Sequence, residues 1–183
     1  RPLNCRTPHD AIANGVVMVP EDRKLQGIIP RMSVGKNISI GSLDQITNRL
    51  GIVNTRREEQ IGLDGKANFN IKTPNLEKPI VELSGGNQQK AIVARWMSTK
   101  PEVLILDEPT KGIDVGAKSE FYNMICEFAK EGLAVILISS ELPEVIGLSD
   151  RIIVMRGRRI VGEISAKDAT EEKLLSMAMM EET

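Results

Sequence analysis

Residues 83–90 read Leu-Ser-Gly-Gly-Asn-Gln-Gln-Lys, and residues 103–110 read Val-Leu-Ile-Leu-Asp-Glu-Pro-Thr. The first is a glycine turn that opens a helix. The second is an apolar strand that ends in two carboxylates. A helix mouth leaves its first backbone amides unpaired, and the helix dipole is positive there. Glycine lets an anion come close to those amides. Asp107 and Glu108 emerge at the carboxyl end of a buried strand, the edge where α/β sheets bind ligands. Neighbouring carboxylates on an extended chain point different ways, so one can hold a Mg²⁺ shell while the other polarises a water. Each segment has a plainer reading, a capped helix start and an exposed turn. The full eight-residue string and the apolar strand before the carboxylates favour a nucleotide-handling site.

The phosphate-cradling string Gly-x-x-x-x-Gly-Lys-Ser/Thr does not occur in the chain. Residues 112–119 end like one, but Ala117 stands where the second glycine is needed and Gly116 comes one place early. They read as a helix N-terminus with Lys118 solvated.

Around these motifs, strands alternate with helices. Gly15–Val19 is a short apolar run closed by Pro20 and reads as a buried strand. A charged loop follows through Glu21 and Lys24 to Gly27 and Pro30. Residues 33–80 are polar and glycine-spaced, and read as a mostly helical, loosely packed insert. Within it Thr55 and Glu58 form a capping-box pattern for a helix over about 56–68, weakened by Gly62 and Gly65. Ser84 is expected to cap a helix over 86–98, with Ala91, Ile92, Ala94 and Trp96 as its apolar surface. Val103–Leu106 reads as a strand buried on both faces, and Ala134–Ile138 as a second buried strand. Apolar positions 117, 121, 124, 125 and 128 give helical period over 116–130, ended by Gly132. A short helix is expected over 143–148, a hairpin over 152–163 with a basic turn, and an amphipathic helix over 170–181. The pattern is a mostly parallel α/β sheet.

Composition narrows the partners. The chain has 183 residues, of which 41% are hydrophobic, enough for one domain burying roughly 70% of its unfolded surface. Basic and acidic residues balance at 24 and 25, and aromatics are only 3%. Neither a broad nucleic-acid-binding field nor a base-stacking platform fits those values. No apolar run is long enough to span a bilayer, and no signal-peptide pattern is present. Cys5 and Cys126 form no CxxC pair and read as reduced thiols. His9, the single histidine, reads as a surface residue. Glu141 and Glu144 read as capping or solvent-facing, the arginines at 156, 158 and 159 as a solvated tip, and the methionines at 177, 179 and 180 as core or interface filler.

The two motifs, in this order, resemble the signature motif and Walker B of ATP-binding-cassette (ABC) ATPases. Residues 111–114 then resemble the D-loop, residues 20–24 occupy the Q-loop position, and residues 139–144 occupy the switch-histidine position. The resemblance covers essentially the whole chain. It is nearest to the second nucleotide-binding half of the tandem ATPase subunits of bacterial ribose/galactose/xylose-type sugar importers. They resemble the chain in Glu-Asp-Arg-Lys, in Gly-Gly-Asn-Gln-Gln-Lys and in Ser-Ser-Glu-x-Pro-Glu.

The resemblance implies an α/β P-loop NTPase fold of ABC type, with a helical subdomain over 33–98 and the α/β core in 1–32 and 99–183. It implies ATP and Mg²⁺ as cofactors. Ser84, Gly85, Gly86, Gln88 and Asp114 would lie at the nucleotide and dimer face. Asp107 and Glu21 would serve the metal, and Glu108 would be the general base. Ser140 stands at the switch position, where it can donate a hydrogen bond but cannot carry a positive charge. Glu21 replaces the usual Q-loop glutamine and adds negative charge. Partners would be a second nucleotide-binding domain and membrane permease subunits docked on 33–80, at the cytoplasmic face of the membrane.

Because the first residue is arginine, the chain is expected to start inside a longer protein whose Walker A strand would neighbour 134–138. Without that strand, the isolated chain is expected to bind nucleotide poorly. Its uncovered sheet would be closed by displaced segments or by self-association. Two alternatives stay open: a non-catalytic module that offers its signature surface to a partner, and a soluble ABC ATPase acting on DNA or ribosomes.

Overall fold

A computed structural model describes residues 3–179 of the chain. The chain divides into two compact units, Arg1–Ile136 and Leu137–Thr183.

The first unit begins with a helix absent from the sequence-based expectation. α1 (Pro8–Ala13) is opened by a capping box: Thr7 Oγ1 accepts from the Asp10 amide at 3.2 Å, and the Asp10 carboxylate accepts from the Thr7 amide at 2.9 Å. β1 (Val16–Val19) then pairs in parallel with β2 (Val103–Asp107), in a register that sets Val16 beside Val103 and Val19 beside Leu106. Val17, Val19, Leu104 and Leu106 are buried, whereas Met18 is exposed and Val103 and Ile105 are half-buried. β2 is thus fully covered on one face only, not on both.

β3 (Ala134–Ile138) is last in the sheet order β1-β2-β3. Its side chains alternate between exposed and half-buried, with Ile136 at 50% and Ile138 at 46% exposure. This overturns the expectation of a second buried strand. An apolar run marks a strand that some sheet neighbour can bury, and β3 lies at the edge.

The insert is not loosely packed. In α2 (Val34–Ser39) every residue but Lys36 is buried, and the helix packs against α4 (Thr55–Asn68) and α5 (Gly85–Met97); α3 (Leu43–Ile46) precedes α4 in the chain. α4 starts one residue before its expected place. Asn54 accepts from the Arg57 amide at 3.2 Å, and Glu58 accepts from Ser39 Oγ instead of reaching back to the cap. Asn is the stronger N-cap, and a buried hydroxyl needs a partner. Gly62 and Gly65 are the buried residues of α4. A Cβ on Gly65 would lie 2.7 Å from Ile38 Cγ2 and 3.3 Å from Ala94 Cβ. Gly65→Ala should therefore destabilise the protein by about 1–3 kcal/mol through overpacking, although helix propensity alone favours alanine by about 1 kcal/mol. Urea denaturation reads the sign; a stabilised variant would refute the close packing.

α6 (Val115–Lys130) buries Phe121, Ile125 and Phe128. It ends in a Schellman motif: the Leu133 amide donates to Phe128 O, the Gly132 amide donates to Ala129 O, and Gly132 has φ +94°.

The second unit holds the expected hairpin. β4 (Arg151–Arg156) and β5 (Arg159–Ser165) run antiparallel, with a bulge at Val154/Met155. Gly157 and Arg158 turn between them with φ +53° and +67°, the positive-φ pair of a type I′ turn. α7 (Leu142–Leu148) and α8 (Glu171–Met179) close a small core around Ile152, Val154 and Leu174. Residues 180 and 181 of the expected last helix, and the Met180 of its methionine group, lie outside the described residues. Among the described residues no helix is long and apolar enough to cross a membrane.

Candidate functional site

β1 and β2 run parallel, so their carboxyl ends open on the same edge of the sheet. Pro20 and Glu21 leave β1 there, and Asp107 and Glu108 end β2. Glu108 adopts φ +45°, a left-handed backbone that costs a non-glycine residue about 1–2 kcal/mol. It turns the chain sharply into the buried Pro109 and Thr110. Asp107 and Glu108 are both half-buried.

The edge is acidic. Burial, then the charges of Glu21 and Glu108, raise the Asp107 carboxyl above its ordinary value. Lys111 Nζ donates to Glu21 Oε1 at 2.6 Å, and that bond raises the lysine in turn. Because Asp107 is raised, the folded chain holds its proton to a higher pH than the unfolded chain. Stability is therefore lost as pH rises through that window, and the ionised group is a burden at neutral pH. Asp107→Asn should raise the melting temperature at pH 7, and the gain should vanish below about pH 4. Thermal scans across pH test it; a gain that persists in acid would contradict this origin.

Among the described residues no three His, Cys, Asp or Glu side chains are grouped to hold a metal. One or two carboxylates at a strand tip suit Mg²⁺, which completes its octahedron with waters and phosphate oxygens. The donors present therefore fit a cation delivered with a phosphate.

The mouth of α5 is the second half of the site. Ser84 occupies the N-cap position with extended backbone, but its side chain does not cap the helix. Its hydroxyl instead accepts from Asn87 Nδ2 at 2.8 Å. The first intrahelical bond runs from the Gln88 amide to Ser84 O, so the amides of 85–87 are left over. Ser84 is exposed, Gly85 is half-buried and Gly86 is buried. Gly86 is pressed on α6, where a Cβ would come within 2.9 Å of Ala117 Cβ.

Gln88 is buried and fully engaged. Its Nε2 donates to Ile80 O at 3.2 Å and Leu83 O at 3.1 Å, and its Oε1 accepts from Arg23 Nε at 3.2 Å. Asp114 caps α6 through the Ala117 amide at 3.0 Å. In the second unit, exposed Ser140 follows Ser139, whose hydroxyl donates to the buried Glu144 carboxylate at 2.6 Å. Glu144 thus does not face solvent, because its neighbour supplies a buried partner.

Sequence reading missed Arg23, Asn37 and Arg95. The loop expected after Pro20 contains a turn of π-helix, Arg23–Gly27, whose N-cap Asp22 accepts from the amides of Lys24 and Leu25. Arg95, mid-helix in α5, donates to Gly27 O on that turn at 2.7 Å. It also donates to Asn37 O at 2.6 Å and Asn37 Oδ1 at 2.9 Å on α2. An arginine and an asparagine inside otherwise apolar helical faces were the available signal. A groove of about 1050 Å³ between α4, α5 and α6, floored by Ile61, Phe69, Met97 and Phe128, contains none of the sequence-predicted site residues.

Residues 4–111 match the ABC transporter family. The chain is 52% identical over 179 residues to the Arabinose import ATP-binding protein AraG of Mannheimia succiniciproducens, covering 98% of this chain and 36% of that protein. It is 51% identical to its namesake from Yersinia pestis, covering 98% of this chain and 34% of that protein. The chain thus spans about a third of the length of these curated relatives. Among solved structures, cbiO1 from Clostridium perfringens, part of the ABC transporter complex cbiONQ, superposes with a TM-score of 0.74 at 23% identity, over 96% of this chain and 67% of that one. The ATP-binding cassette MJ0796, in a dimeric post-hydrolysis state with ADP and Pi, gives 0.70 at 16% identity, over 86% and 66%. The chain belongs to the ABC transporter family and carries its ATPase fold.

Proposed function

We propose that this chain is the second nucleotide-binding half of the ATPase subunit of a bacterial sugar importer. The observation that supports the nucleotide reading best is the shared carboxyl edge of β1 and β2. There the structure gathers Glu21, Asp107 and Glu108 and raises the Asp107 carboxyl, a pattern that a cation carried by phosphate relieves. The sugar reading rests on the names of the arabinose import relatives.

The chain presents two faces. The mouth of α5 serves a triphosphate held by a second nucleotide-binding domain: Ser84 with the amides of Gly85 and Gly86 meets the terminal phosphate. Gln88 acts from beneath, through Arg23. Asp114 fixes the start of α6 at the dimer face. The strand tip serves a nucleotide held by a Gly-Lys loop, which this sequence lacks. There Asp107 and Glu21 orient the cation's waters, and Glu108 takes a proton from the attacking water. Mg²⁺, when bound with ATP, supplies the positive charge that offsets the phosphates. Ser140 offers one hydrogen bond at the switch position and no charge.

The helical subdomain, residues 33–98, docks on permease subunits through 33–80, so the protein is peripheral at the cytoplasmic face of the membrane. In the isolated chain the exposed β3 residues Ile136 and Ile138 favour self-association, and nucleotide binds poorly. Ser140, which can carry no positive charge at the switch position, favours a second reading, a module that assists a partner without catalysing.

The test is Ser84→Arg in the full-length protein. Ser84 is exposed, so the fold should persist while the mouth is blocked. Turnover of ATP should fall by about a hundredfold, the scale of one lost electrostatic contact to the transition state. Undiminished turnover would refute the signature surface.

A further inference from the structure

The π-helical turn at 23–27 lies flat on α5. A Cβ on Gly27 would approach Ile92 Cδ1 to 2.6 Å, and Arg95 clamps the Gly27 carbonyl. At the start of the turn, Asp22 is occupied with the amides of Lys24 and Leu25. This sends the Arg23 side chain along the first turn of α5. Its Nε donates to Gln88 Oε1, and its Nη2 lies 2.9 Å from where a Cβ on Gly85 would be. The Gln88 amide nitrogen is held by the Ile80 and Leu83 carbonyls, so the oxygen is aimed at Arg23.

Among the described residues the guanidinium makes that one hydrogen bond and no salt bridge. Of its five N–H donors, four have no acceptor among the described residues. The group is half-buried. It also stands at the positive end of a helix, where a cation is disfavoured and an anion favoured. Lys111, a nearby cation, is tied to Glu21. A half-buried guanidinium with a free fork, beside unused backbone amides, is a geometry that a phosphate completes with charge-assisted bonds.

We propose that Arg23 is a nucleotide-binding residue of the signature surface, donating from its Nη groups to the terminal phosphate oxygens of the triphosphate that a partner domain brings to the mouth of α5. Gln88 is the positioning residue that holds the fork. This assignment rests on the signature reading above and adds to it a side-chain cation from the Q-loop turn. The glycine at 85 then has a second role, since any side chain there would collide with the guanidinium.

The experiment uses the full-length protein with Mg-ATP. Phenylglyoxal labelling of Arg23, followed by peptide mass mapping, should slow by about fivefold or more when ATP is present, because a bidentate phosphate contact removes the free guanidinium. Arg23→Gln should raise the ATP concentration for half-maximal turnover by about tenfold, without lowering the melting temperature. Arg23→Lys should recover part of the loss, since it keeps the charge but not the fork. Equal labelling with and without ATP, while Ser84→Arg still abolishes turnover, overturns the assignment and leaves the signature surface standing. Equal labelling together with normal turnover in Ser84→Arg overturns both.

Discussion

Full-length protein carrying Glu108→Gln is expected to lose ATP turnover by about two orders of magnitude or more while still binding ATP. A positioned general base contributes about 10²–10⁴ in rate. Glutamine keeps the shape of the side chain and can still hydrogen-bond, but it cannot take a proton. The backbone at Glu108 is held in a left-handed conformation at the tip of β2, so the side-chain direction is imposed by the strand and by the buried Pro109 and Thr110 that follow. Strain kept at one residue next to a carboxylate of raised pKa is the arrangement expected where chemistry is done. Steady-state turnover and equilibrium binding of ATP, measured on the same preparation, separate the two effects. Unchanged turnover would assign catalysis to the partner domain and leave this chain as the assisting module.

The largest stability effect is expected at Arg95. The residue is 7% exposed, and among the described residues it pairs with no carboxylate. Its counter-charges are oxygens: the Asn37 and Gly27 carbonyls and the Asn37 amide oxygen. Burial brings its pKa down to about 10, so it remains a cation at neutral pH. Asn37 is itself wholly buried, and its Nδ2 donates to the carbonyls of Ile29, Met32 and Ser33 while its Oδ1 accepts from the Ile29 amide. One arginine thus joins the turn at 23–27, α2 and α5. Arg95→Met fills similar volume but leaves up to three buried oxygens short of a donor. Breaking such a network by removing one partner costs about 3–5 kcal/mol. Arg95→Lys should recover little, because a point ammonium cannot reach three oxygens in the fork geometry. Urea midpoints at unchanged slope read the loss; a change under about 1 kcal/mol would mean the network is dispensable.

Where residues repeat in a pattern, sequence reading was accurate. The apolar run at 15–19, the helical period over 116–130 and Gly132 beyond it each mark an element that forms, a strand at 16–19, with Met18 exposed, and a helix at 115–130 closed by Gly132. β3 shows the limit of such runs. Its sequence states that the strand can be buried, but burial depends on the sheet neighbour, and edge position leaves Ile136 and Ile138 exposed. α1 spans six residues, too few for a 3.6-residue period to register, so only its Thr7 and Asp10 cap marked it. The insert looked loose because its glycines were read as weak helix formers. At Gly62 and Gly65 a Cβ would instead press on Leu76 and Ile38, so α4 packs tightly there.

The site was legible as motifs and not as contacts. The order of Ser84–Gly86 and Asp107–Glu108 was visible along the chain. That Ser84 would pair with Asn87, or that Gln88 would hold Arg23 across the mouth of α5, depends on a turn 65 residues away, which no local pattern describes.

The central claim is that the mouth of α5 meets the terminal phosphate of a bound nucleotide. Vanadate takes the place of that phosphate after hydrolysis, and ultraviolet light then cuts the backbone it touches. Full-length protein trapped with Mg-ATP and vanadate should be cut at Ser84, located by mass spectrometry, and only when nucleotide is present. Cleavage elsewhere in the protein with residues 84–86 left intact would contradict the account.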